Sequence, residues 1–191
     1  MKKLVIMASG SGSNFQAIIN SVENSEIKAK IAGLIVNKDN AGAIKRAELH
    51  NIPYRIIHTS DYQSFADQLS EQLENWNPDL IILAGFLKKI PDQIVKSFSG
   101  RIINIHPSLL PKYGGKGFYG KHVHEAVLNS GDSKSGCTVH YVNEKYDDGD
   151  IIAQKTVEVK PDDTPETLAK RVLKEEHKLL PAVIKKILNQ N

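Results

Sequence analysis

Along the first hundred positions, short dense apolar runs alternate with stretches in which apolar residues recur at helical spacing. Residues 4–8, 31–36, 54–58, 80–85 and 102–105 are four to six residues long and rich in Val and Ile. Such runs read as strands buried on both faces. Residues 14–23, 41–50, 62–76 and 91–98, which lie between them, read as helices, and Pro91 suits the first turn of the last of these. The alternation predicts an α/β fold. It is single-domain and Rossmann-like, with a mostly parallel twisted sheet of about seven strands and helices on both faces.

After residue 107 the rhythm changes. Residues 112–121 hold four glycines in ten and predict a surface loop with functional mobility. Residues 137–142 and 151–159 read as two more strands, joined by residues 143–150. Asp163-Thr164-Pro165-Glu166 opens a long terminal helix with a capping side chain, a Pro near its first position and an acidic first turn. Pro181 is expected to bend or restart that helix. No internal repeat, low-complexity tract or linker interrupts the chain, so one domain is expected over residues 1–191.

Composition narrows the function classes. A chain of 191 residues with 40% hydrophobic and 25% charged content suits a globular domain with a substantial core. The balance of 25 basic against 22 acidic residues gives +3, too mild and too scattered for a nucleic-acid partner. The single cysteine, Cys137, excludes an intramolecular disulfide and a cysteine-rich metal site, and reads as a small buried residue. No run approaches the roughly 20 apolar residues that span a bilayer. The basic start is followed by an apolar run too short for a signal segment, so a cytoplasmic setting is expected.

Three places carry candidate chemistry. In residues 102–111, Asn104 and His106 stand two apart on a strand and so share a face, before Pro107 ends it. The ends of parallel strands are where open α/β sheets bind ligands. An amide that can hold an oxyanion beside an imidazole that can move a proton suits chemistry on a carbonyl. Ser9-Gly10-Ser11-Gly12-Ser13-Asn14, between the first strand and first helix, suits a phosphate, since glycines admit close approach and a helix start offers free N–H groups. It is neither a dinucleotide fingerprint nor a Walker A loop, although Asp39 after the second strand loosely imitates a ribose-binding acid. A plain Gly/Ser turn with Ser13 or Asn14 as helix cap is the alternative. Asp147-Asp148-Gly149-Asp150 offers a carboxylate to orient an imidazole, or an acidic turn. His122, His124 and His140 add imidazoles, but without the spacing of a metal motif, so no metal is expected.

Taken together, these residues resemble the phosphoribosylglycinamide formyltransferases of the folate-dependent formyltransferase family, over essentially the whole chain. The resemblance rests on residues 9–14, Leu83-Ala84-Gly85-Phe86, the string Asn104-Ile105-His106-Pro107-Ser108-Leu109-Leu110-Pro111, and residues 136–142 followed by Asp147-x-Gly149. It implies transfer of a formyl group from 10-formyltetrahydrofolate, a co-substrate, to the amine of glycinamide ribonucleotide in purine synthesis. Asn104, His106 and Asp147 would be the catalytic triad; the family's Asp-x-Gly spacing selects Asp147 where composition leaves Asp148 equal. Asn104 and a protonated His106 would stabilise the tetrahedral oxyanion, with Asp147 keeping His106 charged and relaying a proton. Gly12, Ser13 and Asn14 would bind the ribonucleotide phosphate, and Pro107 and Glu176 its ribose end. The backbone of Leu87, Lys88, Lys89 and Ile90, with Asn104, would hold the folate, and residues 143–147 would close its other side.

The resemblance divides the domain into a ribonucleotide half over about residues 1–100 and a folate and catalytic half over about residues 80–191. Its partners would be small molecules only, with no nucleic acid or membrane, in a monomer or homodimer. Tyr62, Lys88-Lys89, Leu173 and the long Gly-rich loop depart from common patterns in the family, while the triad does not. Formyltetrahydrofolate deformylase, with water as acceptor, is the nearest enzyme alternative; it would carry an added amino-terminal domain, whereas the first strand here begins at residue 4. Methionyl-tRNA formyltransferase would need a further carboxy-terminal domain. A nucleotide- or folate-binding module is the non-enzyme alternative.

Overall fold

In the computed structural model, which describes residues 1–190, the first half alternates as the periodicity predicts. Its elements are β1 (Lys2–Ala8), α1 (Ser13–Glu23), β2 (Ala29–Val36), α2 (Gly42–Leu49), β3 (Tyr54–Ile56), α3 (Tyr62–Trp76), β4 (Leu80–Leu83), α4 (Asp92–Ser97) and β5 (Ile102–His106). Then follow α5 (Lys121–Ser130), β6 (Lys134–Tyr141), β7 (Ile151–Glu158) and α6 (Pro165–Gln190). Asn191, the end of the expected 1–191 domain, lies outside the described residues.

One sheet of seven strands runs in the order β3-β2-β1-β4-β5-β6-β7. The pairs from β3 to β5 are parallel, while β6 is antiparallel to both β5 and β7. The chain winds outward from β1 through β2 to β3, then crosses back to β4 on the other side of β1. The order therefore reverses between β1 and β4, and a crevice opens at their carboxyl ends. Alternation of side chains sorts the core into two layers. Leu4, Ile6 and Ala8 pack with Phe15, Ile18, Ala43, Val172 and Ile184 from α1, α2 and α6. Val5 and Met7 pack with Phe65, Leu69, Leu73, Ile94 and Val95 from α3 and α4. Helices thus cover both faces.

Several boundaries and one helix differ from expectation. β3 is three residues long rather than 54–58, because it is an edge strand whose Tyr54 and Arg55 face solvent. β6 begins at Lys134 rather than 137; backbone pairing of Lys134 and Ser135 with Glu158 and Val157 extends it through polar positions. Helix α5 was not expected: its buried residues are only Val123, His124 and Val127, a stripe little more than one turn long. Helix α6 neither stops nor restarts at Pro181 and runs through it as one helix. A helix-interior Pro costs about 3 kcal/mol. Burial of neighbouring Leu180, Val183 and Ile184, each contributing about 1.5–3 kcal/mol, offsets it.

The start of α6 is fastened as its sequence predicts. Thr164 Oγ1 accepts the Thr167 N–H at 3.3 Å, and Thr167 Oγ1 accepts the Thr164 N–H at 2.9 Å. The Arg171 fork grips both Asp163 oxygens at 2.6 and 2.7 Å and reaches the Glu158 carbonyl at 2.9 Å, tying the helix to β7. Asp163→Ala is expected to lower stability by about 2 kcal/mol in urea unfolding. An unchanged midpoint would remove this clamp from the account.

Candidate active site

The carboxyl ends of β1, β4 and β5 open onto a cleft of about 700 Å³, an ordinary size for a small-molecule site. Every residue expected at the site lines it: Gly12, Ser13, Asn14, Leu87, Lys88, Lys89, Ile90, Asn104, His106, Pro107, Asp147 and Glu176.

At one end lies the Gly-rich loop. Gly12, not Ser13 or Asn14, occupies the cap position of α1, at φ +73°, and no side chain among the described residues caps that helix. A Cβ on Gly12 would stand 2.7 Å from Ala43 Cβ, so both backbone and space require glycine. The first-turn N–H groups of α1 lack a side-chain acceptor and suit an anion. Asn14 Nδ2 donates to buried Glu176 at 2.6 Å, and Asn14 Oδ1 has no partner among the described residues. Burial pushes the Glu176 carboxyl above its usual range, against the Asn14 hydrogen bond. Asp39 does not join this end: its side chain is 77% exposed on the surface.

At the other end, Ser9 joins the loop to residues 85–87. Its N–H donates to the Gly85 carbonyl at 3.0 Å and its Oγ accepts the Leu87 N–H at 2.9 Å. That changes one expectation, because the Leu87 N–H is already engaged and is not available to a pterin. Lys89 is held by Asp92 at 2.7 Å, Lys88 is exposed and Ile90 is buried.

Between the two ends, β5 delivers the chemistry. Ile103 and Ile105 enter one core layer, so Asn104 and His106 share the opposite face. Antiparallel pairing sets His140 of β6 directly across from Asn104. Asn104 Nδ2 reaches His140 Nε2 at 3.1 Å and Asp147 Oδ1 at 3.3 Å. The Tyr141 carbonyl accepts His140 Nδ1–H at 2.7 Å. His106 Nε2–H donates to the Tyr113 carbonyl at 2.7 Å, and its Nδ1 lies 3.5 Å from Asp147 Oδ2. The Gly115 N–H donates to the same Asp147 oxygen at 2.9 Å. Asp147 itself is left-handed at φ +51°, a region that aspartate enters more readily than most non-glycine residues.

The charge states follow from burial and partners. Burial opposes ionisation of Asp147, but His140, His106 and the Gly115 N–H outweigh it and hold its carboxyl below the usual range. For His106 the balance is reversed. Burial outweighs the attraction of Asp147 and the Tyr113 carbonyl, and lowers the imidazole below its ordinary value. The expectation that Asp147 keeps His106 charged is therefore corrected: in the free site the ring is biased towards neutrality. Buried His124 is lowered by its own burial and then by His106, and its Nδ1 has no partner among the described residues. Cys137 is buried and its thiol is pushed up to about 12 by burial, Glu176 and Glu175, which suits packing rather than nucleophilic chemistry.

Sequence reasoning missed what residues 112–121 do. This stretch is not only a surface loop, since the Tyr113 carbonyl and Gly115 N–H grip His106 and Asp147. Main-chain atoms leave no side-chain signal. His140 had one: a histidine on the strand that would pair with β5.

An amide, an imidazole and an ionised carboxylate converge at the carboxyl edge of an open α/β sheet, across a cleft from an anion loop. They are equipped to hold a carbonyl under attack and to move a proton. The chain belongs to the formyl transferase family, whose family model matches residues 2–184. Its named relatives include the phosphoribosylglycinamide formyltransferase of Bacillus subtilis, 41% identical across 100% of this chain and 97% of that protein. The chloroplastic phosphoribosylglycinamide formyltransferase of Arabidopsis thaliana is 45% identical over 96% of this chain, which spans 64% of the plant protein's length. The crystal structure of phosphoribosylglycinamide formyltransferase from Bacillus halodurans has a TM-score of 0.91 at 35% identity, covering 98% of this chain and 95% of that one.

Three half-buried or buried histidines, His106, His124 and His177, are harder to protonate in the fold than at the ordinary 6.5. The unfolded chain therefore binds more protons there, and stability falls as pH drops below that value. Glu176, raised by burial, contributes the opposite slope, so the comparison is between variants: from about pH 7.5 to about pH 5.5 the thermal midpoint of His124→Gln is expected to fall less, or rise more, than that of the unsubstituted chain. A profile unchanged by the substitution would contradict the neutral assignment.

Proposed function

We propose that this chain transfers the formyl group of 10-formyltetrahydrofolate to the primary amine of glycinamide ribonucleotide. The observation that carries the proposal is the cluster of Asn104, His106, His140 and Asp147 lying in one cleft with the uncapped Gly-rich loop. The loop N–H groups of Gly12, Ser13 and Asn14 suit the phosphate. Glu176, with Asn14 beside it, suits the ribose hydroxyls, as does Pro107, which lines the same cleft. The folate would lie along residues 87–90, bounded by residues 143–147. The ribonucleotide half would span about residues 1–100 and the folate and catalytic half about residues 80–191. Small molecules are the proposed partners, in a monomer or homodimer working in the cytoplasm.

In this mechanism the amine attacks the formyl carbon and a tetrahedral oxyanion develops. Neutral His106 already has an acceptor for Nε2–H in Tyr113, and its Nδ1 faces ionised Asp147. A proton arriving at Nδ1 would find the carboxylate as its acceptor, so the ring can charge without an unpaired N–H. The growing negative charge favours that protonated ring, and the charged ring stabilises the oxyanion in turn. Asn104 contributes its amide by releasing Asp147, the longer of its two hydrogen bonds. The proton lost by the amine passes through an intervening water and Asp147 to His106 Nδ1, charges the ring while the oxyanion stands, and returns by the same route to the leaving folate nitrogen as the intermediate collapses and expels tetrahydrofolate.

The test is folate release from 10-formyltetrahydrofolate, measured with glycinamide ribonucleotide and without it. Release only with the acceptor is expected. Acceptor-independent release would instead make the chain a deformylase, and no release would make it a binding module. His106→Ala and Asp147→Asn are each expected to reduce transfer by about 10²-fold or more while the fold persists. Turnover near the unsubstituted rate in either variant would overturn the mechanism.

A further inference from the structure

Helix α2 supplies none of the groups proposed to touch substrate, yet it grips the Gly-rich loop by two successive carbonyls. The Ala43 N–H donates to the Gly10 carbonyl at 3.1 Å, and Arg46 Nε–H donates to the Ser11 carbonyl at 2.8 Å. These peptides are trans, and in a trans peptide the C=O and the following N–H point in opposite directions. Holding the Gly10 and Ser11 carbonyls against α2 therefore turns the Ser11 and Gly12 N–H groups away from α2. Both residues line the cleft.

Arg46 is itself held in place. Its Nη1 donates to Gln16 Oε1 at 3.0 Å, which leaves the Gln16 amide N–H groups for Asn20 Oδ1 at 2.9 Å and His50 Nε2 at 3.1 Å. His50 Nδ1 meets Glu23 at 2.7 Å. This chain runs along the outer face of α1 and borders a second cleft, of about 430 Å³, that Arg46 and Ser13 both line. The guanidinium thus lies behind the loop, outside the active cleft, whereas Ser13 borders both clefts.

We propose that Arg46 is a positioning residue for the phosphate subsite: by holding the Ser11 carbonyl outward it aims the Gly12 N–H, and the open first turn of α1, at the ribonucleotide phosphate. The assignment rests on the ribonucleotide proposal above. It also distinguishes a fork from a point charge. One planar guanidinium binds the loop and Gln16 at once, whereas a lysine ammonium has no rigid fork to hold the two acceptors in that geometry.

Steady-state kinetics of Arg46→Ala and Arg46→Lys, varying each substrate in turn, test this. KM for glycinamide ribonucleotide is expected to rise about tenfold in both variants, with kcat and the KM of the formyl donor within about twofold of unsubstituted values. An unchanged ribonucleotide KM in Arg46→Ala, full restoration by Arg46→Lys, or an equal loss in every parameter would each overturn the proposal. A second arm needs no turnover. Inorganic phosphate is titrated against the backbone amide resonances of Ser11 and Gly12, and Arg46→Ala is expected to need about tenfold more phosphate for the same shift. If phosphate moves those resonances equally in both proteins, Arg46 does not position the loop, even where formyl transfer stands. If the unsubstituted chain shows no acceptor-dependent transfer, the functional proposal fails while the phosphate arm still decides the role of Arg46.

Discussion

Asp147 places an ionised carboxylate where water barely reaches it, with only 11% of its side chain exposed, and the site is built to compensate that charge. An unpaired buried charge costs several kcal/mol. The hydrogen bonds that compensate it come from separate segments, the Gly115 N–H from the Gly-rich loop and the Asn104 amide from β5, with the His106 and His140 rings packed alongside. The carboxylate therefore sets the register at which these segments meet. Gly149 closes its turn against the sheet, since a Cβ there would overlap the Tyr141 carbonyl. With Asp147 left-handed and Gly149 pressed on β6, the turn has little room to carry the carboxylate elsewhere.

The same balance sets the reactivity of the site. His106 is near enough to Asp147 to take a charge and buried deeply enough to resist one in the free protein. Such a ring gains its proton when negative charge develops beside it, which is the condition of a formyl carbon under attack. At the far end the polarity is opposite, with open N–H groups for an anion and a carboxyl raised by burial for hydroxyls. A substrate with a phosphate at one end and an amine at the other would span the cleft in a single orientation. The folate proposed for residues 87–90 would bring the formyl group from the remaining side.

The layers of the fold were legible because both faces of the parallel strands are buried, so Val- and Ile-rich runs marked β1, β2, β4 and β5 directly. Helix α5 was not, since two valines one turn apart and a histidine make too short a stripe to stand out. Asn104 and His106 stood out through spacing alone, while Glu176 was reachable only through family resemblance, one acid among several on α6. The Tyr113 carbonyl and Gly115 N–H had no signature, because any residue supplies them. The charge of His106 was misjudged for a related reason. Sequence shows the carboxylate partner that raises an imidazole, but only the fold shows the burial that lowers it further.

The most direct measurement is ¹⁵N NMR of the imidazole rings, titrated through neutrality in the free protein and in Asp147→Asn. The account requires His106 to be the Nε2–H tautomer at neutral pH, to protonate below the ordinary 6.5, and to protonate at still lower pH once the Asp147 charge is removed. A ring that remains charged at and above neutral pH, or one indifferent to Asp147→Asn, would contradict it.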